Sequence, residues 1–383
     1  MPSKLRRVTS AGGFIEQIDG LRFLAIFPVV IQHLSERYER NSPLPFRQGL
    51  EFDVTTFITN RGFIGVYIFF TISGFILALP FANAKLNQTQ PISLKSYFLR
   101  RLTRLEPPYV VALVVIASGL VIMGTYSFSE IIPHLGASIF YAHSVIYHSW
   151  SFINPPVWTL EIEVQFYILA PFLAGGFFAL RKKLLRRGVL AGAIVLLMIV
   201  QQLTGVLIEW TILTLLAHMQ FFLIGFMMAD IYLVDWKDGI DKRGIFNYLA
   251  IAAFAFALWV WSWDYNFLSR ILFLGSLFLL FYASFRATWF NRFISLPWIT
   301  AIGGMCYTIY LIHLPVIEFC IRITKHINVT TLFTINYLVQ AILILPVILV
   351  VGIVFYLLIE KPCMYKNWPQ QAYLSVKAFF KRA

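Results

Sequence analysis

The chain has 383 residues, of which 59% are apolar and only 13% are charged, and its net charge is +13. Soluble globular chains are about half apolar and about a quarter charged, so this composition excludes a disordered chain, a coiled coil and an ordinary soluble domain. The 37 Phe, 18 Tyr and 10 Trp are typical of a protein surrounded largely by lipid. The positive charge could indicate a nucleic acid or a membrane surface, and its position along the chain decides between them.

Apolar runs long enough to cross a bilayer recur along the whole chain. We predict an all-α polytopic membrane protein with about ten transmembrane helices, near residues 20–35, 62–82, 107–125, 157–180, 188–207, 211–233, 246–262, 268–285, 299–321 and 333–359. The stretch 131–148 is also apolar, but Pro133 and Gly136 interrupt it, which favours an interfacial or re-entrant segment. If this stretch crossed the bilayer, the number of spans would be eleven and the termini would lie on opposite sides.

The distribution of Lys and Arg supports this arrangement. With the N-terminus in the cytoplasm, 23 of the 31 Lys and Arg residues lie in cytoplasmic segments. The outer segments carry six: Arg37, Arg40, Arg47, Arg61, Arg322 and Lys325. This bias follows the positive-inside rule, predicts that both termini are cytoplasmic, and explains the net charge without a nucleic-acid partner.

The ends of the chain are interpreted as short cytoplasmic segments. We expect an N-terminal segment over 1–18, a membrane domain over 19–360 and a basic tail over 361–383, with no soluble domain fused at either end. The first span contains Arg22 and Pro28 and lacks a small-x-small cleavage site, so we predict an uncleaved span. The three cysteines form no CxxC pair, which predicts neither a disulfide framework nor a metal site.

Two ionisable residues of the first span are the first candidates for a functional site. Arg22 and His33 are eleven residues apart, so on a helix they project from one face, about 16 Å apart along the axis. Arg22 could instead snorkel to the inner interface, and His33 could be a packing or interfacial histidine. Ionisable residues within spans nevertheless indicate function by default.

Three further spans carry polar side chains. Ser73 and Gly74 lie about mid-membrane in the second span, where small residues allow close helix packing. In the fourth span Glu161 and Glu163 face nearly opposite directions, so at least one should face a polar cavity. Glu163 shares its face with Tyr167.

The ninth span has a polar stripe of Tyr307, Tyr310 and His313, which recur every three residues. His313 could be no more than a hydrogen-bonded packing residue. By depth, however, His33, Glu163 and His313 all fall in the outer half of the bilayer. We therefore predict one polar chamber that is suited to proton transfer to or from a hydroxyl.

A basic cluster immediately precedes the third span. Arg100, Arg101 and Arg104 would be grouped by a helix. They could set orientation and bind phospholipid, or they could bind a polyphosphate such as the head of coenzyme A. The chain has neither a GxGxxG nor a GxxxxGK[ST] motif, which excludes the usual soluble nucleotide-binding domains.

Five stretches in this order resemble one family. They are IDGLR with His33, FFTISGF, FLRRLTRLEPPY, VWTLEIEVQFYILAP and CYTIYLIHLP. The chain is similar over about 15–360 to the bacterial integral-membrane acyltransferases of the acyltransferase-3 group, which O-acylate surface glycans and related sugars. Val164 and Cys306 depart from the family pattern, where a second acidic residue and a Ser are common.

The resemblance implies a reaction and a location. It implies transfer of an acyl group, expected to be acetyl, from acyl-coenzyme A to a hydroxyl of a sugar or cell-surface glycan. The acceptor would be a carbohydrate or a lipid-linked glycan, the location the bacterial cytoplasmic (inner) membrane, and no cofactor would be bound permanently. Some family members carry an outward-facing hydrolase-like domain, for which we expect a separate periplasmic or extracellular partner protein here.

The resemblance also implies roles for residues. His33 would act as general base or transient acyl acceptor, oriented by Glu163 or His313. A Tyr, Ser73 or Arg22 would stabilise the thioester oxyanion. The donor would be bound by Arg101, Arg104, Ser73 and Tyr310.

Two other classes of protein fit the composition. In a proton-coupled secondary transporter the buried His and Glu would form a proton relay, but such proteins usually show inverted repeats, and none is visible here. In a non-catalytic scaffold the intramembrane charges would have no purpose. Acyl transfer is therefore the favoured function.

Overall fold

The computed structural model describes Leu5, Arg7, 14–42, 54–365, Trp368 and Gln370. Most of the predicted N-terminal segment 1–18 and most of the tail 361–383 lie outside the described residues. Within the described ranges the secondary structure is helical and no strand occurs. The prediction of an all-α membrane protein is confirmed.

The helices with five or more residues are, in chain order, α1 (Glu16–Asn41), α2 (Val54–Thr59), α3 (Ile64–Leu86), α4 (Leu94–Ile122), α5 (Phe128–Ile139), α6 (His143–Tyr147), α7 (Trp158–Phe177), α8 (Lys183–Thr204), α9 (Leu215–Val234), α10 (Ile245–Val260), α11 (Phe267–Arg286), α12 (Trp289–Ile294), α13 (Pro297–Gly304), α14 (Cys306–Thr324) and α15 (Phe333–Phe355). A π-helical turn, Tyr356–Glu360, and a last helical turn, Lys361–Cys363, extend α15.

Nine helical segments in the described part of the chain are long and apolar enough to cross a membrane. The predicted span 246–262 corresponds to α10, an apolar helix of 16 residues. A helix of this length rises about 24 Å, which is less than the hydrocarbon thickness of about 30 Å. The prediction of about ten spans therefore differs from the structure by this one short helix.

The third span begins earlier than predicted. From the apolar run, we predict that this span covers residues near 107–125. In the structure α4 begins at Leu94 and continues through Pro107 and Pro108. Membrane helices tolerate internal prolines because neighbouring groups satisfy the freed carbonyls. The basic cluster therefore lies on the helix itself.

The apolar stretch 131–148 forms two short helices, of which α5 packs on α4 and α6 packs on α5 and α7. The 12 residues of α5 rise only about 18 Å, too little to cross a bilayer. Ser127 and Glu130 form a capping box at its start, and the Tyr109 hydroxyl donates to the Ser138 carbonyl at 2.8 Å. These helices form a cap on one end of the bundle.

Glycines bring the central helices into close contact. A Cβ on Gly65 would lie 2.0 Å from the Ala25 carbonyl oxygen, and a Cβ on Gly303 would lie 1.8 Å from that of Asp19. Such small residues allow helix backbones to approach closely. Consequently α1 is held against both α3 and α13, and its polar face is brought next to α14.

Candidate active site

The two predicted histidines are in direct contact. His33 Nδ1 and His313 Nε2 are 2.7 Å apart, and the rings stack with centroids 5.0 Å apart. His313 Nδ1 lies 3.0 Å and 2.8 Å from the carbonyl oxygens of Ile309 and Tyr310. The structure thus joins two residues that are 280 positions apart in the chain.

These contacts determine the protonation of both rings. A carbonyl can only accept a hydrogen bond, so Nδ1 of His313 carries the proton and its Nε2 accepts from His33 Nδ1. In the neutral pair, Nε2 of His33 is therefore the nitrogen that keeps its lone pair. His313 is fully buried and His33 half-buried, so His33 is the more accessible of the two rings.

A large cavity of about 1080 Å³, the outer cavity, lies in front of His33. His33 contributes to its wall and His313 lies behind, outside the lining. The polar and aromatic part of the wall includes Gln32, His33, Glu36, Phe63, Asn154, Trp158, Trp263 and Tyr310, and the charged residues Arg37, Arg40, Glu318 and Arg322 also line the cavity. Its apolar side is formed by the ends of α4 and α14, which include Val115 and Phe319.

A second cavity of about 120 Å³, the inner cavity, lies beside it. It is lined by Arg7, Arg22, Ser73, Arg104, Thr159, Glu163, Tyr167, Tyr307, Tyr310 and Glu360, together with apolar side chains. Val66 and Tyr310 line both cavities. The two spaces are therefore neighbours, with these two side chains at their common boundary.

Glu163 faces the inner cavity and contacts neither imidazole. One of its oxygens accepts from the Ser73 hydroxyl and the other from the Tyr167 hydroxyl at 2.9 Å. The single chamber predicted for His33, Glu163 and His313 is thus divided in two. The reason is depth, because Glu163 follows Trp158 of the outer cavity by five residues, about 7.5 Å further along α7.

Ser73 and Gly74 have separate functions in the fold. Ser73 lines the inner cavity and donates to Glu163. A Cβ on Gly74 would lie 2.1 Å from the Phe222 carbonyl oxygen, so Gly74 is the contact between α3 and α9. Glu161 does not face either cavity, because it is buried and accepts from the Ser144 backbone N–H at 2.9 Å.

The inner cavity contains three arginines and two glutamates. Arg22 forms an ion pair with Asp19, and Arg7 lies 4.0 Å from the same carboxylate. Arg104 also lines the cavity. Arg101 is instead stacked over the rings of Tyr97 and Tyr167, with its guanidinium carbon 4.5 Å and 5.1 Å from their centroids. The two predicted donor-binding arginines therefore point to different surroundings.

Tyr310 is held firmly at the boundary of the cavities. Its hydroxyl donates to the Pro156 carbonyl at 2.6 Å and lies 2.7 Å from the Thr159 hydroxyl. Both partners belong to the turn that opens α7. Tyr310 therefore stands between the outer cavity, which His33 lines, and the inner cavity, which Arg22 lines.

Sequence reasoning missed two charged residues of the inner cavity, Arg7 and Glu360. Glu360 accepts from the Thr308 backbone N–H at 3.2 Å and from its hydroxyl at 2.5 Å. An acidic residue at the end of a long apolar run, just before Lys361, was a usable signal. No sequence signal could have identified Arg7, because a basic residue near an N-terminus looks the same as one that only sets the orientation in the membrane.

The chain belongs to the acyltransferase-3 family, described as an acyltransferase domain, whose profile matches residues 15–357. The peptidoglycan O-acetyltransferase OatA of Listeria monocytogenes is 31% identical over 175 residues, which cover 41% of this chain and 24% of that protein. The O-acetyltransferase OatA of Staphylococcus aureus is 25% identical over 335 residues, 80% of this chain and 51% of that protein. This chain thus spans about half the length of the curated relatives that it matches most extensively. No solved structure matches it.

Proposed function

We propose that this membrane acyltransferase moves an acyl group, expected to be acetyl, from acyl-coenzyme A to a hydroxyl of a sugar or cell-surface glycan. The observation that carries the proposal is the His33–His313 pair, of which His33 lines the outer cavity, and the outer cavity adjoins the inner one at Val66 and Tyr310. The inner cavity is small and contains three arginines, and the outer cavity is wide and contains many aromatic side chains. O-acetylation is the activity in the names of the relatives.

The inner cavity suits the thioester end of the donor. Its volume of about 120 Å³ is well below the roughly 300–1,000 Å³ of pockets that enclose drug-sized ligands, so it is too small for a whole coenzyme. The nucleotide end would therefore remain at the mouth of the cavity. Guanidinium groups form strong paired hydrogen bonds with phosphates, and Arg104 is the cavity arginine from the basic cluster.

His33 Nε2 is the proposed base. It would remove the proton from the acceptor hydroxyl as the oxygen attacks the thioester carbonyl, and the coenzyme A thiolate would leave with the electrons of the C–S bond. His313 would keep the hydrogen bond to Nδ1 and so hold the ring as its charge rises. The same nitrogen could attack the thioester first, form an acyl-imidazole and pass the acyl group on. Both routes need an unprotonated Nε2.

The oxyanion donor is proposed to be Tyr310. Arg22 lies about 16 Å from His33 along α1, so it suits the donor's phosphates better than the reacting carbonyl. The Ser73 hydroxyl already donates its hydrogen bond to Glu163, so it is not free to donate to an oxyanion. Tyr310 lines both cavities and its ring centroid is 5.8 Å from that of His313. Its hydroxyl would exchange the Pro156 carbonyl for the oxyanion.

The test is an assay of the full chain in lipid nanodiscs with labelled acetyl-coenzyme A. We expect release of free coenzyme A and acetylation of added saccharides, both lost in His33→Ala. Mass spectrometry of surface glycans from cells with and without the protein should show a missing acyl group. A well-dispersed protein that neither cleaves the thioester nor changes any glycan would refute the proposal.

A further inference from the structure

Asn154 in the wall of the outer cavity has an unsatisfied buried oxygen. The residue is 1% exposed, and its Nδ2 donates to the Leu311 carbonyl at 2.9 Å. Within the described residues, its Oδ1 has no hydrogen-bond partner. A buried acceptor without a donor is unfavourable and rare in folded proteins, so this atom requires an explanation.

The fold fixes the direction in which this amide points. Pro315 has no N–H, so the carbonyl of Leu311, four residues earlier on α14, has no helical donor. The side-chain N–H of Asn154 donates to this carbonyl in place of the missing helical donor. The amide cannot flip without losing this bond, and its oxygen therefore stays an acceptor on a residue that lines the cavity of His33.

Aromatic side chains line the same cavity as Asn154. The rings of Phe63 and Trp158 stack 5.7 Å apart, and Trp263 lies 4.9 Å from Phe63. Trp263 is 49% exposed, so about half of this side chain is not covered by the protein. Ring faces contact the apolar C–H faces of pyranoses, while a few fixed polar atoms select their hydroxyls.

We propose that Phe63, Asn154, Trp158 and Trp263, the acceptor wall, bind a pyranose ring of the acceptor. Asn154 Oδ1 accepts one sugar O–H, the aromatic faces hold the ring, and a neighbouring hydroxyl is presented to His33. Asn154 thus contacts the acceptor and takes no part in cleavage of the donor. This inference rests on the proposed function and adds to it the acceptor class and the residues that select it.

The experiment separates the donor step from the acceptor step. Full-length protein in nanodiscs is given labelled acetyl-coenzyme A, and the KM for acetyl-coenzyme A is measured with the acceptor in fixed excess. Acetyl transfer is then measured to the methyl pyranosides of glucose, galactose and N-acetylglucosamine, and to the acyclic polyols glucitol and glycerol. We expect at least one pyranoside to be a better acceptor than either polyol.

Variants then assign the residues. Asn154→Leu should raise the sugar KM at least tenfold and leave the KM for acetyl-coenzyme A within twofold of wild type. Trp263→Leu, at a half-exposed position that folding tolerates, should raise the same KM several-fold, and Trp263→Phe should restore it. Asn87→Leu makes the same change at an exposed asparagine outside both cavities and should have no effect.

The outcomes distinguish the two proposals. If the wild type transfers acetyl but both Leu variants keep its sugar KM, the acceptor wall is wrong while the proposed function stands. A preference for acyclic polyols, or donor cleavage with no pyranoside acetylated, also overturns the inference. If the wild type never cleaves acetyl-coenzyme A, the proposed function itself has failed.

Discussion

His33 and His313 show how two neutral imidazoles acquire different properties from their neighbours. The carbonyls of Ile309 and Tyr310 hold the proton of His313 on Nδ1, and this in turn directs the proton of His33. A single histidine could exchange its tautomers freely. The pair instead presents one defined lone pair, which a general base or a nucleophile needs.

The first prediction concerns this pair. His33→Ala should reduce acetyl transfer by about 10²–10⁴-fold, the usual contribution of a general base, or more. His313→Ala should cause a smaller loss, because the base remains but its tautomer is no longer held. The measurement is acetyl transfer by purified variants of equal dispersity. His148→Ala is the control, since His148 stacks on Trp210 outside both cavities. Retention of more than about a tenth of the wild-type rate in His33→Ala would exclude the mechanism.

A second prediction distinguishes the two arginines of α4. Arg104→Ala should raise the KM for acetyl-coenzyme A about tenfold or more, because a hydrogen bond to a charged group contributes about 1.5–3 kcal/mol. Arg104→Lys should recover only part of the affinity for acetyl-coenzyme A, since Lys lacks the planar guanidinium fork. Arg101→Ala should have the smaller effect, because Arg101 is stacked on Tyr97 and Tyr167 and does not line the cavity. The KM values of the three variants provide the check, and an equal or larger effect of Arg101 would contradict the assignment.

At the scale of helices, glycine contacts set the positions of the site residues. The crossing of α3 and α9 depends on Gly74 and Gly225, where a Cβ would lie 2.1 Å from the Phe222 carbonyl and 2.3 Å from the Phe75 nitrogen. Both contacts involve backbone atoms, which cannot move without displacing a whole helix. Ser73 is the neighbour of Gly74, so this crossing also positions one wall of the inner cavity.

The third prediction tests this crossing. Gly74→Ala should destabilise the protein by about 1–3 kcal/mol, the usual effect of overpacking. Gly119→Ala is the matched control, because a Cβ there meets nothing within 4 Å. Alanine is favoured over glycine in helices by about 1 kcal/mol, so the control should be neutral or stabilised. Thermal unfolding in detergent, followed by tryptophan fluorescence, measures both. A Gly74→Ala protein as stable as wild type would contradict the tight crossing.

For the whole molecule, the orientation in the membrane decides which side supplies the donor. The positive-inside rule places the α8 end with Lys183 and the loop with Lys237 in the cytoplasm, and Ser127 at the opposite side. The predicted donor site would then open toward the cytoplasm. The N- and C-terminal segments on which this prediction also relied lie largely outside the described residues.

The fourth prediction is therefore made at described positions. In intact cells an impermeant maleimide should label Ser127→Cys and should label Lys237→Cys only after permeabilisation. Both residues are exposed, whereas the native Cys320 and Cys363 are buried and Cys306 is half-buried. The unmodified chain serves as the background control. Labelling of Lys237→Cys and not of Ser127→Cys would reverse the orientation and the assignment of the donor side.

The sequence by itself determined the features that depend on local geometry. Runs of apolar residues identified the spans, and the helical repeat placed Arg22 and His33 on one face, and Tyr310 and His313 on another. These predictions needed no knowledge of neighbours, because the repeat of a helix is a property of its own backbone. The family motifs likewise pointed to His33 from the sequence alone.

Only the tertiary structure decided which side chains meet. In the sequence, Glu163 and His313 were equal candidates for the partner of His33. The packing of α1 against α14 brings His313 into contact with His33, whereas Glu163 accepts a hydrogen bond from Ser73 on α3. Arg7, Glu360 and Asn154 come from an end segment, a π-helical turn and a loop, where the sequence shows no helical periodicity. The side-chain partners depend on how closely and at what angle helices cross, and glycine contacts between distant parts of the chain fix both.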